Sequence, residues 1–215
     1  MQAEERVMLS LLPHDLSGKF VLDAGCGTGR YVIHALRRGA TLVTGVDSSP
    51  EMLDRAKVEL DGLSTRSTMS DSGDCNTGMG PQLLLGSLEA LPVFDQWSDV
   101  TICALTIGHL PTLRPALAEL QRVTKAGGVI LCSDFHPIGH SLGWQRAFSV
   151  NGQRYIVRHT PHSPGDWQHA CSALGLEIVS VLEPRLDQAD IPSSANFDAA
   201  ALSLPVAIVY FLLKH

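Results

Sequence analysis

Short unbroken apolar runs alternate along the chain with longer stretches in which apolar residues return every three or four positions. The runs are VLDAG at 21–25, LVTGVD at 42–47, residues 83–86, DVTICAL at 99–105, GVILCS at 128–133, and then 178–182 and 206–213. Helical spacing fills 3–12, 29–38, 50–60 and 113–124. In the first of these, AEERVMLSLL, Val7, Leu11 and Leu12 share one face, acids occupy the first turn where the helix dipole favours them, and Pro13 closes the helix. Strands apolar on both faces must be covered on both faces, which is the condition of a parallel sheet between two layers of helices. The pattern predicts a doubly wound α/β domain.

Three stretches stand outside that alternation. Residues 61–82 are rich in Ser, Thr, Gly and Asp and predict a flexible surface loop. Residues 143–160 hold two half-apolar runs, WQRAFSV and QRYIVRH, joined by Asn151-Gly152, the dipeptide that most favours a tight hairpin turn. The runs at 178–182 and 206–213 are separated by a long polar connection without helical spacing, so they are expected to lie antiparallel at a sheet edge. The whole chain, 1–215, reads as one domain, with 138–162 inserted as a flap on the substrate side.

Composition changes this picture little. The 215 residues carry a formal net charge of −6, which argues against a nucleic-acid or anionic-membrane partner. Of five cysteines, three sit in apolar runs and none forms a CxxC pair, so reduced, mostly core cysteines in a cytoplasmic protein are expected. The N-terminal MQAEERVML has acids where a secretory signal needs bases. The longest apolar run, 206–213, is too short to cross a bilayer. A monomer or homodimer is the expected state.

The chemistry begins where the first run breaks into Gly25-x-Gly27-x-Gly29 and a helix follows. Such a turn tolerates positive φ and lets a ligand approach the backbone, while the helix start offers free N–H groups. Asp47 ends the next strand, at the separation where a carboxylate accepts both ribose hydroxyls. The dinucleotide fingerprint needs its third glycine one residue later. Asp23 also places a carboxylate where a phosphate would be repelled. A nucleoside with a short zwitterionic tail fits better than a pyrophosphate.

With VLDAGCGTG (21–29), GVDSSPEML (45–53), GSLEALP (86–92), DVTICALTIGHL (99–110) and ELQRVTKAGGVILCSDFHP (119–137), the chain resembles the class I S-adenosylmethionine-dependent methyltransferases of the ubiquinone-biosynthesis-like, small-molecule subgroup. The resemblance implies a Rossmann-like seven-stranded sheet, mostly parallel, with an antiparallel C-terminal hairpin strand. It implies S-adenosylmethionine as cofactor and S-adenosylhomocysteine as product. Asp23, Gly25, Cys26, Gly27 and Gly29 would hold the methionine portion, and Asp47 the ribose, with Ser48 beside it. Met52 would pack on the adenine, or serve as helix core. Ser87 stands where the family usually has an aspartate, and its hydroxyl would accept from the adenine amino group more weakly; Leu88 would offer its N–H to the ring. Ala104 and Leu105 would lie beside the sulfonium. Many relatives carry more helices before the glycine strand than the roughly twenty residues seen here. The missing cover falls to the flap, to a second subunit or to residues preceding this start.

Methyl transfer needs the acceptor lined up behind the methyl, and a base where the acceptor keeps a proton. Of nine histidines, His109, His136, His140, His159 and His162 fall in the second half. His109, after the fourth strand, is a candidate for touching and deprotonating the acceptor, with a structural bond to a loop carbonyl as the alternative. His136, after the fifth strand, is the second catalytic candidate, and His140 a substrate contact. The pairs His136/His140 and His159/His162 are loosely spaced and joined by no cysteine or acid cluster, so no metal is expected. On the flap, Trp144, Arg146, Tyr155 and Arg158 would recognise a planar or anionic acceptor; Trp144 and Phe148 equally suit packing of the flap. The acceptor is expected to be a small molecule offering O, N or C. A nicotinamide-dependent oxidoreductase and a non-catalytic interaction subunit are the alternatives.

Overall fold

The computed structural model describes residues 2–67, 80–145, 147–187 and 202–215. Helix α1 (Gln2–Leu11) leads into β1 (Phe20–Ala24), α2 (Arg30–Arg37), β2 (Leu42–Asp47), α3 (Pro50–Ser67) and β3 (Gln82–Leu85). Strand β4 (Ser98–Ala104), a 3-10 turn (Ile107–His109), α4 (Leu113–Val123) and β5 (Thr124–Phe135) follow. Then come a short α5 (Pro137–Ser141), the hairpin β6 (Ala147–Val150) and β7 (Gln153–Ile156), α6 (Pro164–Ala173), β8 (Leu176–Leu182) and β9 (Ala207–Lys214).

Seven strands form one sheet in the order β3-β2-β1-β4-β5-β9-β8, parallel from β3 to β5, with β9 antiparallel to both neighbours. The order reverses between β1 and β4, and sheets of this kind bind ligands at the C-terminal strand ends beside such a reversal. Asp23 sits at that reversal, opposite Gly45 on β2 and Ile102 on β4. One face of the sheet packs Leu117, Leu120, Trp167 and Cys171 from α4 and α6; the other packs Met8, Tyr31, Val32 and Leu53 from α1, α2 and α3.

The C-terminal pair lies antiparallel at one edge of the sheet, as expected, and the structure adds the order of its strands. Strand β9 (AIVYFLLK) is buried along nearly its whole length and lies between β5 and β8, while β8 (LEIVSVL) forms the edge. The alternation of β8, with Glu177, Val179 and Val181 not buried, suits a strand bonded on one side only. Lys214, at the end of β9, donates to the carbonyls of Gln121 and Thr124 at 2.7 Å each and so closes the C-terminus of α4.

Three local elements depart from the sequence reading. Helix α3 continues through 61–67, so the stretch expected as loop at 61–82 begins helical, and its residues 68–79 lie outside the described residues. Helix α5 begins on His136, whose Nδ1 accepts from the Ile138 N–H at 3.2 Å. Helix α6 had no apolar stripe long enough to announce it. Its signal is its start: Ser163 accepts from the Asp166 N–H at 3.2 Å, Asp166 accepts from the Ser163 N–H at 2.8 Å, and Pro164 takes the first turn. Its buried face is Trp167, Ala170 and Cys171, spaced i, i+3, i+4.

The motif ELQRV has a structural explanation. Glu119 accepts from the Leu91 N–H at 2.7 Å, and Arg122 reaches Glu119, Asp95 and the carbonyls of Leu91 and Val93. The pair straps the loop after GSLEALP onto α4. Among the described residues no helix is long and apolar enough to cross a membrane. Cys26, Cys103, Cys132 and Cys171 are buried free thiols, and Cys75 lies outside the described residues.

Candidate functional site

The strand β1 ends at the glycine turn, and its three glycines all take positive φ: 78° at Gly25, 53° at Gly27 and 83° at Gly29. Each has its own reason for lacking a side chain. A Cβ on Gly25 would collide with the Thr106 side chain, whereas nothing lies within 4 Å of the position a Cβ on Gly27 would take. Open space above a backbone held in the left-handed region is what a ligand lying on the turn requires. Gly29 serves as N-cap of α2 and faces the Ala56 Cβ at 3.3 Å.

Asp47 closes the turn from β2. Its Oδ2 accepts from the Gly27 N–H at 2.8 Å and its Oδ1 from the Ser49 N–H at 2.9 Å. One carboxylate thus pins the turn and the start of α3 together. Ser49, rather than the exposed Ser48, supplies the hydroxyl at that helix start, accepting from the Met52 N–H at 3.2 Å. Met52 is 38% exposed, so it is not helix core. Ser87 is exposed and accepts from the Glu89 N–H at 3.2 Å, while the Leu88 side chain is buried in the core. On the β4 side, the single Thr106 O–H is shared between the carbonyls of Ala104 (2.9 Å) and Gly25 (3.3 Å), and Leu105 takes φ 56°. A branched residue held in the left-handed region at a sheet's ligand-binding edge is stored strain of the kind found at functional sites.

The electrostatics single out Asp23. It is 1% exposed, and its Oδ2 has no hydrogen-bond partner. Burial pushes its pKa up to about 7; Arg30 and a hydrogen bond from the Val32 backbone pull it down, and Asp47 and Glu4 push it further up. Glu4, which sequence reasoning treated only as a first-turn acid, is fully buried. It accepts from the Tyr31 hydroxyl at 2.9 Å, the Ser133 hydroxyl at 2.6 Å and Arg30 at 3.2 Å. Arg30 and His34 also meet Glu5, at 3.6 and 2.8 Å. Helix α1 is therefore tied by its two acids to α2 and β5, beside the glycine turn. A buried carboxylate with one oxygen unpaired and two more carboxylates nearby is the environment that a ligand ammonium or sulfonium would neutralise. Burial raises the Cys26 thiol well above its ordinary range, so it is a packing residue of the turn.

The expected substrate side is less gathered. The hairpin forms as read, with Asn151 and Gly152 at φ 51° and 77° in its turn, and its two strands make a separate small sheet. Trp144 is 41% exposed, and its ring lies against Gly139 of α5. Tyr155, Arg158 and His140 are exposed, Arg146 lies outside the described residues, and so does the Phe148 side chain. His109 is exposed on the 3-10 turn that follows β4. His136 does not fit the catalytic role expected for it. Its Nδ1 caps α5 and its Nε2 meets Glu183 at 3.2 Å, so both ring nitrogens are engaged. A pair that sequence reading did not connect, His159 and Asp134, lies at 2.9 Å against Gly108. Among the described residues no group of His, Cys, Asp and Glu is arranged to hold a metal ion.

The family profile described as "Methyltransferase domain" matches residues 22–132, the stretch from β1 to β5 that carries the turn, Asp47 and the β4 crossing. The chain belongs to this family: it is an S-adenosylmethionine-dependent methyltransferase domain, and the nicotinamide alternative is set aside. A malonyl-[acyl-carrier protein] O-methyltransferase of Serratia marcescens is 32% identical over 170 residues, covering 77% of this chain and 56% of the relative. A magnesium-protoporphyrin O-methyltransferase of Rhodobacter capsulatus is 56% identical over 54 residues, 25% of this chain and 24% of the relative. The chain spans about half the length of the curated relatives it matches. In fold, an S-adenosylmethionine-dependent methyltransferase of Mesorhizobium loti matches with a TM-score of 0.72 at 21% identity, over 98% of this chain and 97% of that one.

The residues present fit that cofactor: Asp23, with Oδ2 unpaired, would take its cationic end, Gly27 leaves room on the turn, and Asp47 would accept from the ribose. Replacing Asp47 by Ala removes both the ribose acceptor and the bond to the Gly27 N–H. Affinity for S-adenosylhomocysteine is expected to fall by about 30-fold, on the order of 2 kcal/mol. Calorimetric titration of the folded variant checks this, and an unchanged Kd would remove Asp47 from the site.

Proposed function

We propose that the protein transfers the methyl group of S-adenosylmethionine to an oxygen of a small organic acceptor. The observation that carries the reading is the buried Asp23 carboxylate, unpartnered at Oδ2 beside a glycine turn with open space above it. When bound, the cofactor supplies a methyl made electrophilic by a positively charged sulfur. The chain's own part is to bind and orient. Asp23 neutralises the cationic end, Asp47 fixes the ribose and the turn, and the Leu105–Thr106 crossing carries the strand end up to the reacting edge. Alignment of an acceptor behind the methyl supplies much of the rate in such a displacement.

Oxygen is preferred over nitrogen or carbon because the Serratia and Rhodobacter relatives are both named O-methyltransferases. The exposed aromatic and basic residues of the flap, Trp144, Tyr155 and Arg158, support a planar or anionic acceptor. The net charge of −6 supports a small molecule over nucleic acid. A monomer or homodimer in the cytoplasm completes the reading.

The test is transfer of labelled methyl from S-adenosylmethionine to a panel comprising malonyl-loaded acyl carrier protein, catechol and a primary amine, with S-adenosylhomocysteine binding measured in parallel. Label in an oxygen acceptor, strongly reduced in Asp47→Ala at limiting cofactor, is the expected result. Transfer to the amine alone would refute the oxygen assignment, and failure of the wild-type chain to bind S-adenosylhomocysteine would refute the cofactor.

A further inference from the structure

Resting on the methyl-transfer reading above, we propose that His159, oriented by Asp134, takes the proton from the acceptor, so that the acceptor is a hydroxyl still protonated at neutral pH rather than a carboxylate. Asp134 is the penultimate residue of β5, at the C-terminal edge of the sheet, and is 2% exposed. Its Oδ1 accepts from the Phe135 N–H at 2.8 Å and lies 2.9 Å from His159 Nε2. A carboxylate only accepts, so the bond requires hydrogen on Nε2 and leaves the lone pair on Nδ1.

The ring is held from several sides. Phe135 meets it edge-on, with centroids 5.5 Å apart and planes at 88°. Gly108 lies so close that a Cβ there would collide with the imidazole, and it would come within 2.7 Å of Asp134 Oδ1. The Thr160 N–H donates to the Gly108 carbonyl at 2.7 Å, which fixes the backbone next to the histidine. Glycine at 108 is thus required by the dyad itself. The His159 side chain keeps 15% of its surface exposed.

Position ties the dyad to the reaction. The turn that carries Gly108 begins at Thr106, whose hydroxyl bonds the Gly25 carbonyl of the cofactor turn. Two residues of chain span about 7 Å at most. His159 also follows β7 of the flap by three residues, so it stands where the flap joins the sheet edge. The charged or titratable groups around it are Asp134 from β5, His109 next to Gly108 on the turn, and Arg158 and His162 on its own segment.

Carboxylate, imidazole and acceptor in series form the arrangement that activates a hydroxyl in nucleophilic catalysis. The acceptor O–H bond breaks with its proton passing to Nδ1. The electron pair left on oxygen forms the bond to the methyl carbon, and the carbon–sulfur pair leaves on sulfur. The imidazolium, stabilised by Asp134, later returns its proton to water. An acceptor carboxylate is already ionised at neutral pH and has no use for such a base.

Long-range proton–nitrogen NMR on the ¹⁵N-labelled chain should find His159 as the Nε2–H tautomer, with its Nδ1 open to carbethoxylation by diethyl pyrocarbonate. Asp134→Asn should erase that tautomer preference. For either oxygen probe that turns over, His159→Gln should lower kcat by roughly 10²–10⁴-fold and remove the ascending limb of the pH–rate profile. Its affinity for S-adenosylhomocysteine should stay within twofold, which separates this claim from failure of the cofactor reading. An Nδ1–H tautomer, an unreactive Nδ1, or malonyl-loaded carrier protein methylated equally by wild type and His159→Gln would overturn the proposal. If neither oxygen probe turns over, the tautomer and the carbethoxylation decide it.

Discussion

At pH 8, Asp23→Asn is expected to make the ligand-free protein more stable than the parent while sharply weakening its hold on S-adenosylmethionine. The cause is the buried carboxyl, whose pKa rises from 3.8 to about 7 mainly through desolvation. An acid with a raised folded-state pKa binds its proton more tightly when folded than when unfolded. Its stabilising contribution is therefore complete below about pH 4 and is lost as the pH climbs to about 7. The full loss is on the order of 4 kcal/mol, an upper figure because the interior relaxes around a new charge. Asparagine keeps an acceptor for the Val32 N–H and never ionises, so the variant should escape this loss. The same substitution deletes the negative charge that a bound ammonium or sulfonium would neutralise. Urea melts between pH 4 and 8 should show a declining parent and a flatter variant; parallel curves would remove the buried charge from the argument. Calorimetry of the parent should show S-adenosylhomocysteine binding tightening with pH over the same window, with proton release.

Trp167→Ala is expected to cost about 3–5 kcal/mol, the range for deleting a large aromatic side chain from a packed core. Trp167 is fully buried and stacks on Tyr210, with centroids 4.1 Å apart and planes 13° from parallel. It joins α6 to β9, the strand that β5 and β8 both need as a partner. The indole N–H has no hydrogen-bond partner, so Trp167→Phe removes no bond and should cost much less than alanine. Equal losses for the two variants, in denaturant midpoints at constant m-value, would show that packing is not what the tryptophan contributes.

Of the site, the half that binds cofactor could be read from residues close together in the chain. Three glycines at alternate positions after an apolar strand permit positive φ whatever surrounds them, and all three adopt it. Asp47 was legible because a strand end 24 residues after Asp23 falls at a predictable place in a βαβ unit. Glu4 was not, since nothing in a helix's first turn announces that its carboxylate will be buried against Tyr31 and Ser133. On the acceptor side, reading histidines by their distance from strand ends favoured His109 and His136. The structure engages both ring nitrogens of His136, with the Ile138 N–H and Glu183, and it sets His159 against Asp134, a pairing that distance from strand ends does not reveal.

Hydrophobic period, turn chemistry and helix signals act over a few residues. They determined, from sequence alone, the parallel strands β1, β2, β4 and β5, the glycine turn, the Asn151-Gly152 hairpin and the α/β class. Placement of β9 between β5 and β8 was decided by tertiary structure, because an apolar strand says that it is buried on both faces without saying between which neighbours. Helix α6 was decided the same way. Its polar and small residues leave a narrow apolar face, and Trp167 becomes a core residue only once Tyr210 lies beneath it. The Asp134–His159 pair belongs there too: 25 residues separate the partners, and only the approach of Gly108, from a third segment, holds the imidazole against its acid.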